Sequence, residues 1–190
     1  MDAEDFFAKW GEDNIILYNA DMLQKRGISL QYQDYLSNYG LPQSAAPYLN
    51  FNNIDDMSFL FDDYYYLGFT GNGDWICIKS SNGKILIVDH EIYGEEEENS
   101  DEDDYEDEDD TDEDVPDEKF EGIILMNTSL ETLYGCLLAY REFINKHIPA
   151  NSAEYKKEVR ILEKRLTQID ANVMNVDGFW RNEVFNLILE

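Results

Sequence analysis

The 190-residue chain sets 42 acidic residues against 14 basic ones, for a formal net charge of −28. With 43% hydrophobic and 14% aromatic residues it is too apolar to be wholly disordered, and its length suits one domain able to bury about 70% of its unfolded surface. A charge this negative argues against binding nucleic acid or an anionic membrane, since both are polyanions.

The charge is concentrated. Between Glu95 and Glu118, 18 of 24 residues are acidic and none is basic, which leaves only −10 for the rest of the chain. Side chains in such a tract repel one another and bury little apolar area, so 95–118 reads as an extended, disordered insertion in one domain spanning 1–190. The tract lacks the Gly that an EF-hand loop needs at its sixth position, because no glycine occurs between Gly94 and Gly122.

In chain order, residues 2–10 predict a short helix burying Phe6, Phe7 and Trp10 and ending at Gly11. Ile15 to Tyr18 form an apolar run, a strand or an extended packing segment. Ser29 opens a helix whose face carries Tyr32, Tyr35, Leu36 and Tyr39, with Gly40 at the C′ position and Leu41-Pro42 stopping it. From Tyr48 the period becomes two, and 48–52, 64–69, 74–79 and 84–89 predict strands. Ser80-Ser81-Asn82-Gly83 predicts a tight hairpin with positive φ at its Asn-Gly pair. Bulk alternates with bulk in 75–78, so both faces of this sheet should be partly covered. A fifth strand, 123–126, re-enters after the acidic tract.

The last third is helical. Thr128 and Glu131 fit a capping box, followed by Leu130, Leu133, Leu137, Tyr140 and Ile144 on one face. A helix over about 152–166 buries Tyr155, Val159, Leu162 and Leu166 and turns Lys156, Lys157, Arg160 and Lys164 outward. That basic stripe is either a solvated face or a surface onto which the acidic tract folds. The segment 177–189 predicts a capped helix burying Trp180, Val184, Phe185 and Ile188. Helices, then strands, then helices define an α+β fold with a mainly antiparallel sheet of five or six strands.

No catalytic constellation emerges. His90 follows a strand and His147 ends a helix, and neither has a Cys, Asp or Glu at metal-ligand spacing along the chain. Cys77 and Cys136 are too few for a disulfide framework and lie within apolar periodicity, as small buried hydrophobes do. Gly71-Asn72-Gly73 lacks the third glycine and the following helix of a nucleotide loop, and reads as a strand-to-strand turn. Asp55-Asp56 and Asp62-Asp63 read as turn or solvent residues. No Gly-x-Ser-x-Gly elbow is present. The expectation is a protein with no enzymatic activity, no cofactor and no metal. No apolar run reaches the ~18 residues that span a bilayer, and Asp2, Glu4 and Asp5 replace the basic and apolar segments of a signal peptide, so a reduced, cytoplasmic protein is expected.

An ordered set of short motifs resembles a known family. Gly40-Leu41-Pro42, Ala46-Pro47-Tyr48-Leu49, Leu67-Gly68-Phe69 and Gly71-Asn72-Gly73-Asp74 come first. Trp75-Ile76-Cys77-Ile78, Gly83-Lys84-Ile85 and Val88-Asp89 follow, then Asn127-Thr128-Ser129-Leu130, Ile169-Asp170 and Phe179-Trp180. Together they are similar to the SUKH superfamily and, within it, to its fourth subgroup of bacterial immunity proteins. The resemblance covers most of the chain outside the acidic tract. It implies an α+β domain without enzymatic activity that binds and neutralises a cognate polymorphic toxin, commonly a nuclease or a nucleic-acid deaminase. Other members of the superfamily are interaction modules in regulation, so a scaffold role stays open, as does a cation-buffering or histone-chaperone-like role of the tract itself. A basic toxin would be steered by the negative charge. The residues expected to meet it are Asn72, Asp74 and Trp75 at a turn and strand, with Asp89 beside them; the alternative is that Trp75 is simply packed and the aspartates cap turns.

Overall fold

The computed structural model describes residues 2–11, 14–53, 63–93, 121–150, 152–175 and 178–189. The acidic tract and Asp55-Asp56 lie outside them.

The fold is α+β. Helix α1 (Ala3–Trp10) precedes β1 (Ile15–Ile16), α2 (Ala20–Lys25), α3 (Leu30–Asn38) and β2 (Leu41–Pro42). Strands β3 (Ser44–Ala45), β4 (Leu49–Phe51), β5 (Tyr64–Phe69), β6 (Trp75–Lys79) and β7 (Ile85–Val88) follow. After a four-residue helix α4 (His90–Tyr93) and β8 (Ile123–Asn127) come α5 (Leu130–Ile144), α6 (Ala153–Ile169), a 3-10 helix (Ala171–Met174) and α7 (Phe179–Leu189). Strands β3 to β8 form a six-stranded antiparallel sheet in chain order, and β1 pairs with β2 in a separate two-stranded ribbon.

Strand alternation divides the sheet into two apolar faces. Tyr65, Leu67, Ile76, Ile78, Ile85, Ile87 and Met126 join the main core with the helices. Tyr64, Tyr66, Cys77, Leu86 and Val88 form a second buried cluster, with Trp75, Tyr93, Ile123 and Leu125 half-buried against it. Both faces are therefore covered, and β7 is buried at all four positions.

Helix α1 docks on α5 through rings. Phe6 stacks on Tyr134 at 4.3 Å, and the Arg141 guanidinium lies 4.3 Å from the Trp10 ring centroid while donating to the Trp10 carbonyl at 2.9 Å. Phe6 is buried, whereas Phe7 and Trp10 are only half-buried. Gly40 joins α3 to β2 with φ +63°, and a Cβ there would lie 2.0 Å from the Ile16 carbonyl oxygen. Only glycine tolerates both the positive φ and that approach.

Several local expectations are corrected. The β6–β7 loop is wider than a two-residue turn, and of its Asn-Gly pair only Gly83 has positive φ. Asp63 shapes it, accepting from Ser81 N at 3.0 Å and from Ser81 Oγ at 2.8 Å. The α5 cap is shifted by one residue. Ser129 Oγ accepts from Thr132 N and Thr132 Oγ1 accepts from Ser129 N, both at 3.2 Å. Ile144 is exposed at the end of its face. On α7, Trp180 and Val184 are buried as expected, but Phe185 and Ile188 are 57% and 54% exposed.

Thr128 is drawn away from the cap by Asp170, whose Oδ2 accepts from Thr128 N at 2.8 Å, Thr128 Oγ1 at 2.8 Å and Thr132 Oγ1 at 2.9 Å. Its Oδ1 accepts from Asn172 N at 3.1 Å. Next to it the fully buried Asn127 accepts from Trp180 Nε1 at 3.0 Å and donates to Cys136 Sγ at 3.4 Å. Three motifs far apart in sequence, at 127–130, 169–170 and 179–180, thus meet in one buried polar network that ties β8 and α5 to the ends of α6 and α7.

Candidate functional site

Of the four residues singled out from sequence, Asn72, Asp74 and Asp89 come together at one edge of the large sheet, the one formed by the strand ends where β6 begins and β7 finishes. The β5–β6 turn is closed by its own backbone: Thr70 N donates to the Asp74 carbonyl at 2.8 Å and Gly73 N to the Thr70 carbonyl at 3.0 Å. This turn leaves Asn72 exposed, its N–H on Thr70 Oγ1 at 3.3 Å. Asp74 reaches sideways to the start of α4, with its Oδ1 3.1 Å from His90 Nδ1. Its Oδ2 accepts from Thr70 Oγ1 at 3.4 Å.

Asp89 enters from β7 and caps α4, accepting from Glu91 N at 2.9 Å. Asp74, Asp89 and His90 each bring a donor atom within 4.8 Å of the other two. Trp75 turns the other way. It is half-buried against the second apolar cluster, so the structure separates it from the carboxylates. Asp74 and Asp89 do close a turn and cap a helix, and they also stand together at an accessible edge, with Asp74 24% and His90 37% exposed at the side chain.

Two members of this edge escape a reading by sequence alone. His90 is sixteen residues from Asp74, and spacing along the chain cannot reveal a partner delivered by a hairpin. Tyr48 lies in a predicted strand but precedes β4, at φ +53° and 83% exposed. It packs over the turn so closely that a Cβ at Gly71 would come 2.9 Å from the Tyr48 Cβ. An aromatic side chain this exposed, over the β5–β6 turn, offers a rigid contact of large area to a partner.

The described residues that precede and follow the acidic tract lie at the same edge. Asp89 N donates to the Gly122 carbonyl at 2.8 Å and Tyr93 Oη to the Glu121 carbonyl at 2.9 Å. The residues that lead into 94–120 and out of it are thus pinned beside Asp74, Asp89 and Glu91. Charge of one sign collects here from the turn, the α4 cap and the flanks of the tract.

Among the described residues, Asp74 is the hydrogen-bond partner of His90. Burial pushes the thiol of Cys77 well above its ordinary value, and that of Cys136 up to about 12, against a small opposing effect of the Asn127 hydrogen bond. Both therefore remain unreactive thiols. Elsewhere, Lys156, Lys157, Arg160 and Lys164 are exposed on α6 as predicted, without ion-pair partners among the described residues. Arg165 of α6 instead pairs with Glu142 of α5, and Lys146, just past the end of α5, pairs with Glu158 of α6.

No family model, no curated protein and no solved structure matches this chain. Among the described residues, no helix is long and apolar enough to cross a membrane.

Proposed function

We propose that this chain is an immunity protein that binds a basic toxin of the nuclease or nucleic-acid deaminase class one to one in the cytoplasm and neutralises it without catalysis. The observation that carries this reading is the convergence of Asp74, Asp89, Glu91 and the described residues on either side of the acidic tract on one sheet edge, with Tyr48 exposed over the β5–β6 turn. A toxin that acts on nucleic acid needs a cationic groove for its substrate, and a negative edge is complementary to that groove. Long-range attraction between such surfaces raises the association rate, while slow release requires a desolvated anchor, for which Tyr48 is the candidate. The ordered motif set similar to SUKH immunity proteins supports the same reading.

Co-expression tests it. Cells producing the protein encoded beside this gene should survive when the chain is present and die when it carries Tyr48→Ala together with Asp74→Lys. If the intact chain gives no rescue and no complex forms, the proposal fails; if the double variant protects as well as the intact chain, the assignment of the edge fails. A scaffold module of the same fold would form a complex with a housekeeping partner and give no protection.

A further inference from the structure

The edge also holds a set of metal-donor atoms, two of them on carboxylates that the proposed partner surface shares. Asp74, Asp89 and His90 place one carboxylate oxygen each and one imidazole nitrogen within 4.8 Å of one another. We propose that they form a binding site for a single divalent transition-metal ion of the zinc type, held by the two carboxylates and the imidazole and open to solvent on its remaining side.

The distances suit such an ion. Two ligands about 2.0–2.1 Å from a tetrahedral zinc ion lie roughly 3.3 Å apart, and Asp74 Oδ1 stands 3.1 Å from His90 Nδ1. The ligands are also oriented from behind, as metal ligands need to be. The Glu91 N–H holds one oxygen of Asp89, and Thr70 Oγ1 holds the second oxygen of Asp74. Gly73, at φ +96°, leaves room for the imidazole: a Cβ there would stand 3.3 Å from its Cε1 and 3.4 Å from its Nε2.

Charge points the same way. The His90–Asp74 hydrogen bond pairs one carboxylate with the imidazole, and Asp89, which caps α4 through one oxygen, brings a second carboxylate within 4.8 Å of them. Two carboxylates brought together repel unless a cation lies between them. A protonated imidazole balances one, whereas a dication balances both. The donor set selects the class of ion, since imidazole with carboxylate suits zinc, cobalt or nickel, whereas calcium and magnesium take oxygen ligands. Competition from other nitrogen or sulfur donors within the chain is small. It has two histidines and two cysteines, and both cysteines are buried.

The test uses the full chain and reads metal binding alone, so its outcome is independent of any toxin. Zn²⁺ is titrated while the ring-proton resonances of the two histidines are followed by NMR, with His147→Gln assigning them. The resonance of His90 should move and saturate at one equivalent. In calorimetry, His90→Gln and Asp74→Asn should each weaken the tight Zn²⁺ site at least tenfold, and His147→Gln should leave it unchanged. Ca²⁺ uptake should be the same in the intact chain and in His90→Gln, because that substitution removes no carboxylate from the acidic surface. A His90 resonance indifferent to Zn²⁺, or equal Zn²⁺ affinity in the intact chain and His90→Gln, overturns the site. Should His90→Gln not fold, the resonance in the intact chain decides.

Discussion

Replacing Asp170 perturbs the fold where its distant motifs meet. The carboxylate is 5% exposed and accepts four hydrogen bonds, two of them from the backbone N–H groups of Thr128 and Asn172. In Asp170→Ala the hydroxyls of Thr128 and Thr132 can turn elsewhere; Thr132 Oγ1 already lies 3.0 Å from the Ser129 carbonyl. The two backbone donors cannot turn. A buried donor left unsatisfied costs about 1–3 kcal/mol; Thr128 is half-buried and Asn172 exposed, so water can reach the second donor, and the Ala variant should lose about 2–4 kcal/mol, a large part of the 5–15 kcal/mol that is typical of a domain. Asp170→Asn keeps one accepting oxygen, loses charge assistance and aims an N–H₂ group at a donor, which should cost about 1–3 kcal/mol. Urea unfolding followed by Trp fluorescence reads both, with the slope against denaturant unchanged if only native stability is affected. An Ala variant within about 1 kcal/mol of the parent, or an Asn variant as damaging as Ala, would refute the reasoning.

Three further outcomes follow from particular contacts. Gly40→Ala should lower stability by more than about 2 kcal/mol in the same assay, because it combines a strained φ with a collision against the Ile16 carbonyl; a loss under half of that would mean the ribbon shifts freely. Both thiols should resist a thiol-directed reagent in the native protein and react only on unfolding, with rates that track global opening. Burial pushes the Asp63 carboxyl up, but hydrogen bonds from Ser80 and Ser81, with Lys79 nearby, outweigh it and hold the group below its ordinary value. A depressed carboxylate stabilises the fold above its unfolded value, about 3.9, and the contribution is lost as pH falls through the lower folded value. The difference in urea midpoint between the parent and Asp63→Asn should therefore be present above about pH 4 and shrink below it; a difference that persists into stronger acid would contradict this.

What the sequence discloses and what it hides divide along the range of the interactions. The helices from 130 and 153 and the strands of the hairpin are legible because their periods are long and regular. The covering of both sheet faces is legible as well, from bulk at successive positions 75–78. Helix α2 is not, since its six residues bury only Leu23, too few turns to show a period. The α5 cap illustrates local ambiguity. Thr128 with Glu131 and Ser129 with Thr132 satisfy the same four-residue spacing, and the choice is made by Asp170 from some forty positions away. Phe185 and Ile188 carry an apolar pattern that tertiary packing leaves at the surface. At the candidate site, Asn72, Asp74 and Asp89 show themselves as polar residues at turns beside strands, while the contact of His90 with Asp74 and the exposure of Tyr48 depend on the hairpin and on the turn at Pro47.

The most direct test of the central claim is the affinity of the purified chain for the C-terminal domain of the protein encoded beside its gene, the proposed toxin, measured by calorimetry at low and high salt. The account predicts a one-to-one complex that weakens as salt rises, and that weakens at least tenfold when Asp74 and Asp89 are both changed to Lys. A complex equally tight at both salt concentrations and indifferent to those reversals would contradict it.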